Sequence, residues 1–102
     1  DDINKLNEIL VNSEIVLVNC GLTHCGPCNR VYPEYVKLSK EYENVKFIKI
    51  QFDKLSDDDH DDLKKKFNIG KYPHFVVVCN GVVLDTKQTS NIDEIESLIK
   101  YL

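Results

Sequence analysis

The sequence contains no tryptophan, no methionine and no alanine, and a single arginine stands against twelve lysines. Asparagine and isoleucine each occur nine times. This skew fits an A+T-rich genome, so an isolated lysine or asparagine carries little functional weight. Positive charge is in deficit as well: the formal charge is -4 and no basic stripe is present. That removes the reason to expect nucleic acid or an acidic membrane surface as a partner. No apolar run approaches the roughly eighteen residues that a membrane span needs, so none is expected. No signal peptide is visible, yet the chain opens at Asp1 without a methionine. An upstream segment is therefore expected to have been removed, and the compartment, cytoplasmic or secretory, stays open. There is no internal repeat and no low-complexity linker. With 102 residues and 42% apolar content, residues 1–102 read as one globular domain with a core of its own.

Four cysteines are present, but a zinc ribbon needs two separated Cys-x-x-Cys pairs, and only Cys25 and Cys28 are so spaced. Cys20 and Cys79 stand alone within apolar, strand-like runs. The apolar run Ile15–Val18 leads through Asn19-Cys20-Gly21 to the box Cys25-Gly26-Pro27-Cys28, which opens a helical pattern. A strand thus delivers two thiols to a helix start. A helix N-terminus carries partial positive charge and unpaired N–H groups, which favour a thiolate over a thiol. Cys25 is therefore expected to be acidic and reactive. Pro27 suits the first turn because its missing N–H costs nothing there.

Taken in order, Ile3, Leu6, Ile9 and Leu10 mark a short amphipathic helix over residues 3–11, followed by a buried strand over residues 15–20. Val31, Tyr35, Leu38 and Tyr42 share one face of the next helix, in which Pro33 predicts a kink. Val45 to Phe52 reads as a second strand. Ser56 caps a helix with aspartates in its first turn and Lys64, Lys65 and Lys66 in its last, matching the helix dipole. Asp57, Asp59 and Asp61 imitate the first ligands of a calcium loop. However, Asp62 stands where glycine is needed and Asn68 where a bidentate glutamate is needed, so no metal is expected. Phe75–Cys79 and Val82–Leu84 form a hairpin about Asn80-Gly81. Asn91 and Glu94 can form a capping box for a last helix whose Ile92, Ile95, Leu98, Ile99 and Leu102 face inward. The order implies an α/β fold in which a β-α-β unit with a right-handed crossover precedes a β-β-α unit.

At this point the chain resembles the thioredoxin family. The resemblance rests on Val16-Leu17-Val18, Cys25-Gly26-Pro27-Cys28, Pro33, Asp53, Ile69, Tyr72-Pro73 and Asn80-Gly81, in the family's order and near its spacing. It covers essentially the whole chain and implies a thioredoxin fold, a mixed sheet flanked by helices. The family begins with a further strand for which there is no room before Ile3, so four strands are expected, with the N-terminal edge strand absent or truncated. The resemblance further implies that Cys25 is the attacking thiolate, Cys28 the resolving thiol and Pro73 a cis-proline facing the sulfurs. Tyr72 would offer its backbone to an extended substrate, and Thr89 occupies a substrate-surface position usually held by glycine, where its bulk would narrow the range of partners.

Several positions depart from the family pattern. Asn19 replaces a buried aspartate that helps to take the proton from the resolving thiol, and an amide cannot act as a base. Lys49 matches the lysine that pairs with that carboxylate, so its charge is expected to lack a partner. Gly21 and His24 stand where tryptophans are usual. His24 either supplies a positive charge that favours the Cys25 thiolate or merely fills an exposed loop position. Cys20 reads as a buried structural thiol, and Cys79 as a packing residue near the hairpin or a second redox handle.

The function implied is that of a protein dithiol–disulfide oxidoreductase of the reducing kind. It would need no cofactor beyond a Cys25–Cys28 disulfide, and would act on protein disulfides and be recharged by thioredoxin reductase or another thiol donor. Two alternatives are a thioredoxin-like binding subunit of a larger assembly and a thiol oxidase or isomerase of a secretory compartment.

Overall fold

A computed structural model describes residues 2–102. The elements are α1 (Asp2–Asn12), β1 (Ile15–Gly21), α2 (Gly26–Glu41), β2 (Lys46–Gln51), α3 (Asp57–Lys66), β3 (His74–Cys79), β4 (Val82–Gln88) and α4 (Ile92–Ser97), with one 3₁₀ turn at Phe52–Lys54. Among the described residues the sheet has four strands in the order β2-β1-β3-β4. β1 runs parallel to β2 and antiparallel to β3, and β3 runs antiparallel to β4. The expected β-α-β and β-β-α halves therefore meet at the β1–β3 pair.

The sheet is covered on both faces, and strand alternation sorts the residues between them. Val16, Val18, Cys20, Val76 and Val78 pack with Leu6 and Leu10 of α1 and with Leu63 and Phe67 at α3. Leu17, Phe75 and Val77 pack on the other side with Val31, Tyr35 and Leu38 of α2 and with Ile95, Leu98 and Ile99 at α4. Tyr35 is the polar exception in that second core. Its hydroxyl donates toward the carbonyls of Leu17, at 2.9 Å, and Ile48, at 2.8 Å, while its ring meets those of Phe47 and Phe75. β2 forms one border of the sheet, where an open groove of about 510 Å³ is lined by Ile3, Leu6, Ile9, Ile48, Ile50 and Leu55 among others.

Local chemistry fixes the element ends. Ser56 caps α3 by accepting the Asp59 N–H. The other end of α3 closes with Asn68 N–H bonded to Lys65 O and Ile69 N–H to Lys64 O, with Asn68 in the left-handed region at φ 54°. That pattern is a Schellman cap, and it accounts for the asparagine at this position. Asn80 and Gly81 both have positive φ, 49° and 83°, as a two-residue hairpin turn between twisted strands requires. Helix α2 runs unbroken through Pro33.

Three expectations need correction. β2 stops at Gln51, because Phe52 begins a 3₁₀ turn in which Leu55 N–H bonds back to Phe52 O. β2 begins at Lys46, because Val45 is held by a bond from its N–H to Tyr42 O. Leu102 does not face inward and is 52% exposed. Beyond Ser97 the N–H groups of Leu98, Ile99 and Leu102 bond three residues back while that of Lys100 bonds four back, and the tightened turns carry the stripe past Ile99 away from the core.

Candidate active site

The cysteine box forms where β1 hands over to α2. Cys25 is the N-cap of α2, with extended backbone at φ -122° and ψ 110°, and its Sγ accepts the N–H of Cys28 at 3.2 Å. Pro27 sits in the first turn, where no intrahelical donor is needed. Cys25 and Cys28 are joined as a disulfide with their Cα atoms 5.2 Å apart. The two sulfurs differ in access: Cys25 is half-buried, whereas the Cys28 side is closed at 1% exposure. A β-carbon added at Gly21 would lie 3.3 Å from Cys28 Sγ. With no side chain at Gly21, β1 passes close to the Cys28 sulfur without crowding it.

Behind the box, Asn19 has no exposed surface, and neither its amide nitrogen nor its amide oxygen has a partner. The same β-carbon position at Gly21 lies 4.0 Å from Asn19 Oδ1, so this amide borders the Cys28 side of the site. Asn19 pairs in register with Lys49. The Lys49 ammonium sits 4.0 Å from the centroid of the Tyr32 ring, a cation–π contact. In front, Asp53 accepts the Thr23 N–H at 2.9 Å and so ties down the loop before the cysteines. Its bonding to Thr23 holds the Asp53 carboxyl below its usual range. His24 and Gly26 are exposed on either side of Cys25, with Arg30 Nη1 3.1 Å from where a Gly26 β-carbon would stand.

The opposite wall comes from β3. The Tyr72–Pro73 peptide is cis. Because Cys20 pairs with His74 across the antiparallel β1–β3 ladder, Pro73 falls level with Gly21, next to the cysteine loop. His74 is only 5% exposed, and neither ring nitrogen has a partner; burial pushes its pKa down. Burial likewise pushes the Tyr72 phenol up. Cys20 is fully buried and its thiol pKa is raised by that burial, as befits a structural thiol. Cys79 is half-buried beside the hairpin, near the Asn80 amide.

Thr89 is placed differently from the substrate-surface position that the resemblance gives it. Its side chain is 8% exposed. The hydroxyl donates to Glu94 and accepts the Asn91 N–H at 3.0 Å. Asn91 in turn accepts from the Asp93 and Glu94 N–H groups. The expected reciprocal box between Asn91 and Glu94 is therefore completed through Thr89, and the side chain presents little bulk to a partner. Two residues that sequence reasoning did not single out, His60 and Phe52, stand against Tyr72. No motif marks them, because they meet only in the folded chain. Among the described residues, no group of three or more His, Cys, Asp or Glu side chains could hold a metal ion, and no helix is long and apolar enough to cross a membrane.

Comparison with known proteins agrees with this geometry. The thioredoxin family model matches residues 3–102. Thioredoxin 1 of Plasmodium falciparum is 33% identical over 96 residues, covering 94% of this chain and 88% of that protein. Thioredoxin Asp f 28 of Aspergillus fumigatus is 36% identical over 94 residues, covering 91% of this chain and 82% of that protein. A solved structure of Plasmodium falciparum thioredoxin superposes with a TM-score of 0.81 at 34% identity, covering 97% of this chain and 93% of that one. These matches favour neither of the two alternative functions. A redox pair at a helix start, this fold and these relatives together establish that the chain belongs to the thioredoxin family and is a protein dithiol–disulfide oxidoreductase with a redox-active Cys25–Cys28 disulfide.

Proposed function

We propose that the reduced protein attacks protein disulfides through Cys25, resolves the mixed disulfide through Cys28 and binds its substrates along Tyr72 and Pro73. The observation that carries this assignment is the unequal access of the two sulfurs: Cys25 is half-buried and Cys28 is 1% exposed. A sulfur so closed off cannot readily meet another protein's disulfide, but it can reach its neighbour three residues away. The Cys28 N–H on Cys25 Sγ, together with the helix dipole, lowers the energy of the Cys25 thiolate.

In the first step the Cys25 thiolate forms a bond to one substrate sulfur, and the other leaves as a thiolate that takes up a proton. In the second, Cys28 loses its proton and attacks Cys25 Sγ, expelling the second substrate thiolate. Two electrons have then passed to the substrate, and the Cys25–Cys28 disulfide remains. Thioredoxin reductase or another dithiol donor returns the two electrons. Main-chain groups at Tyr72 would pair with an extended substrate segment by strand addition. Asn19 cannot ionise, so Cys28 gives up its proton without a carboxylate base behind it, and resolution is slow.

The test is trapping. Cys28→Ser protein mixed with oxidised insulin is expected to accumulate a mixed disulfide on Cys25 that dithiothreitol releases, whereas Cys25→Ser protein accumulates none. Equal trapping by both variants would reverse or abolish the division of roles.

A further inference from the structure

A side-chain contact outside the sulfur chemistry joins helix α3 to the loop before Pro73. His60 Nε2 lies 3.2 Å from the Tyr72 hydroxyl oxygen. Both rings rest on Phe52, each with its centroid 5.5 Å away, His60 edge-on at 81° and Tyr72 tilted at 54°. Phe52 has no exposed surface, so it is a fixed support for two half-buried rings. The next residue, Asp53, holds Thr23 two positions before Cys25. The adjacent residues Phe52 and Asp53 therefore touch the loop that carries Pro73 and the loop that carries Cys25, respectively.

We propose that His60 is a positioning residue for substrate binding, acting through its hydrogen bond to Tyr72. A tyrosine at the mouth of a binding edge would otherwise sample several rotamers, and the main chain ahead of Pro73 would move with it. Pinned between His60 and Phe52, Tyr72 holds its backbone N–H and C=O in place before the substrate arrives. The ordering cost is then met in folding and not in binding. The inference rests on the reading that Tyr72 and Pro73 receive the substrate. Its direction is specific: loss of the contact weakens binding without touching electron transfer, since neither His60 nor Tyr72 moves a proton or an electron in the two exchange steps.

The experiment compares His60→Phe, which keeps ring packing on Phe52 but loses the bond, with Tyr72→Phe, which loses the same bond from the other side. Insulin is the substrate, with reduction coupled to a thioredoxin reductase. Each variant is expected to raise KM about three- to tenfold, the range of one net hydrogen bond, with kcat unchanged. The double variant should be no worse than either single one. His60→Gln, whose amide can serve as a hydrogen-bond partner, should restore KM, and the Cys25–Cys28 midpoint potential should stay fixed in all of them. The inference is overturned by an unchanged KM in both single variants, or by a fall in thermal stability with kcat and KM changing together, which would mark a purely structural clamp. Pro73→Ala separates the two levels of argument. If it raises KM while the ring variants do not, His60 has no positioning role and the substrate loop stands; if it too leaves KM unchanged, the loop assignment fails and the inference with it.

Discussion

Replacing Asn19 with aspartate tests the resolution step directly. Asn19 is fully buried and its amide has no hydrogen-bond partner; a Gly21 β-carbon would lie 4.0 Å from its Oδ1 and 3.3 Å from Cys28 Sγ. A carboxyl in that place is desolvated, which moves its pKa up toward neutrality, where a general base works best. Lys49 pairs in register with Asn19, with its ammonium on the Tyr32 ring. An ordinary thiol of pKa about 8.5 is roughly 3% ionised at pH 7, so complete ionisation would speed attack by at most about thirtyfold. The weaker nucleophilicity of a more acidic thiol lowers that ceiling. Asn19→Asp should therefore speed resolution about ten- to thirtyfold at pH 7. A stopped-flow reaction of reduced protein with excess dithiobis(nitrobenzoate) reads the two steps separately. The first coloured thiol leaves when Cys25 attacks and the second when Cys28 resolves, and only the second phase should accelerate. Equal second-phase rates in the two proteins from pH 6 to pH 8 would refute the claim that the missing carboxylate limits resolution.

Two further predictions concern stability. His74 has a folded pKa pushed below its ordinary 6.5 by burial, so below that pH the unfolded chain binds more protons than the folded one. Stability should rise with pH through the window beneath 6.5 and level off above it; urea midpoints of His74→Val protein should vary less between pH 5 and 7 than those of the parent, and an equal slope would exclude His74 as the source. Tyr35→Phe keeps the ring contacts with Phe47 and Phe75 but removes the hydroxyl from the carbonyls of Leu17 and Ile48. It should cost about 1 kcal/mol, a fall of roughly 0.5 M in the urea midpoint at unchanged slope, and a midpoint within 0.1 M of the parent would show that the bond contributes nothing net.

What could be read from the sequence is what the chain decides within a few residues. The Cys25–Cys28 box after a strand, the Ser56 cap and the Asn80-Gly81 turn each act over two to four positions, and each stands where it was expected. The surroundings of Thr89, Leu102 and Lys49 were not legible because they are set elsewhere in the chain. Glu94 draws Thr89 into a cap, tightened bonds past Ser97 rotate Leu102 outward, and a ring on α2 receives the Lys49 charge. The contact of His60 with Tyr72 spans twelve residues and has no periodicity to announce it.

The second wall of the site follows the same logic at longer range. β3 is apolar on both faces, with Val76 and Val78 in one core and Phe75 and Val77 in the other. Inward–outward alternation therefore carries no register signal along it, and a one-residue slip would exchange the two sets. What distinguishes the faces is size. Phe75 fills the space beside Tyr35, a position that a valine would leave underpacked. In the register that keeps this fit, Cys20 lies opposite His74 and Pro73 falls beside Gly21 and the cysteine loop. The Phe75–Tyr35 contact therefore favours the register that places Pro73 level with Gly21. A cavity there, as in Phe75→Val, would act on the redox site through the alignment of β3 and not through any group that touches the substrate.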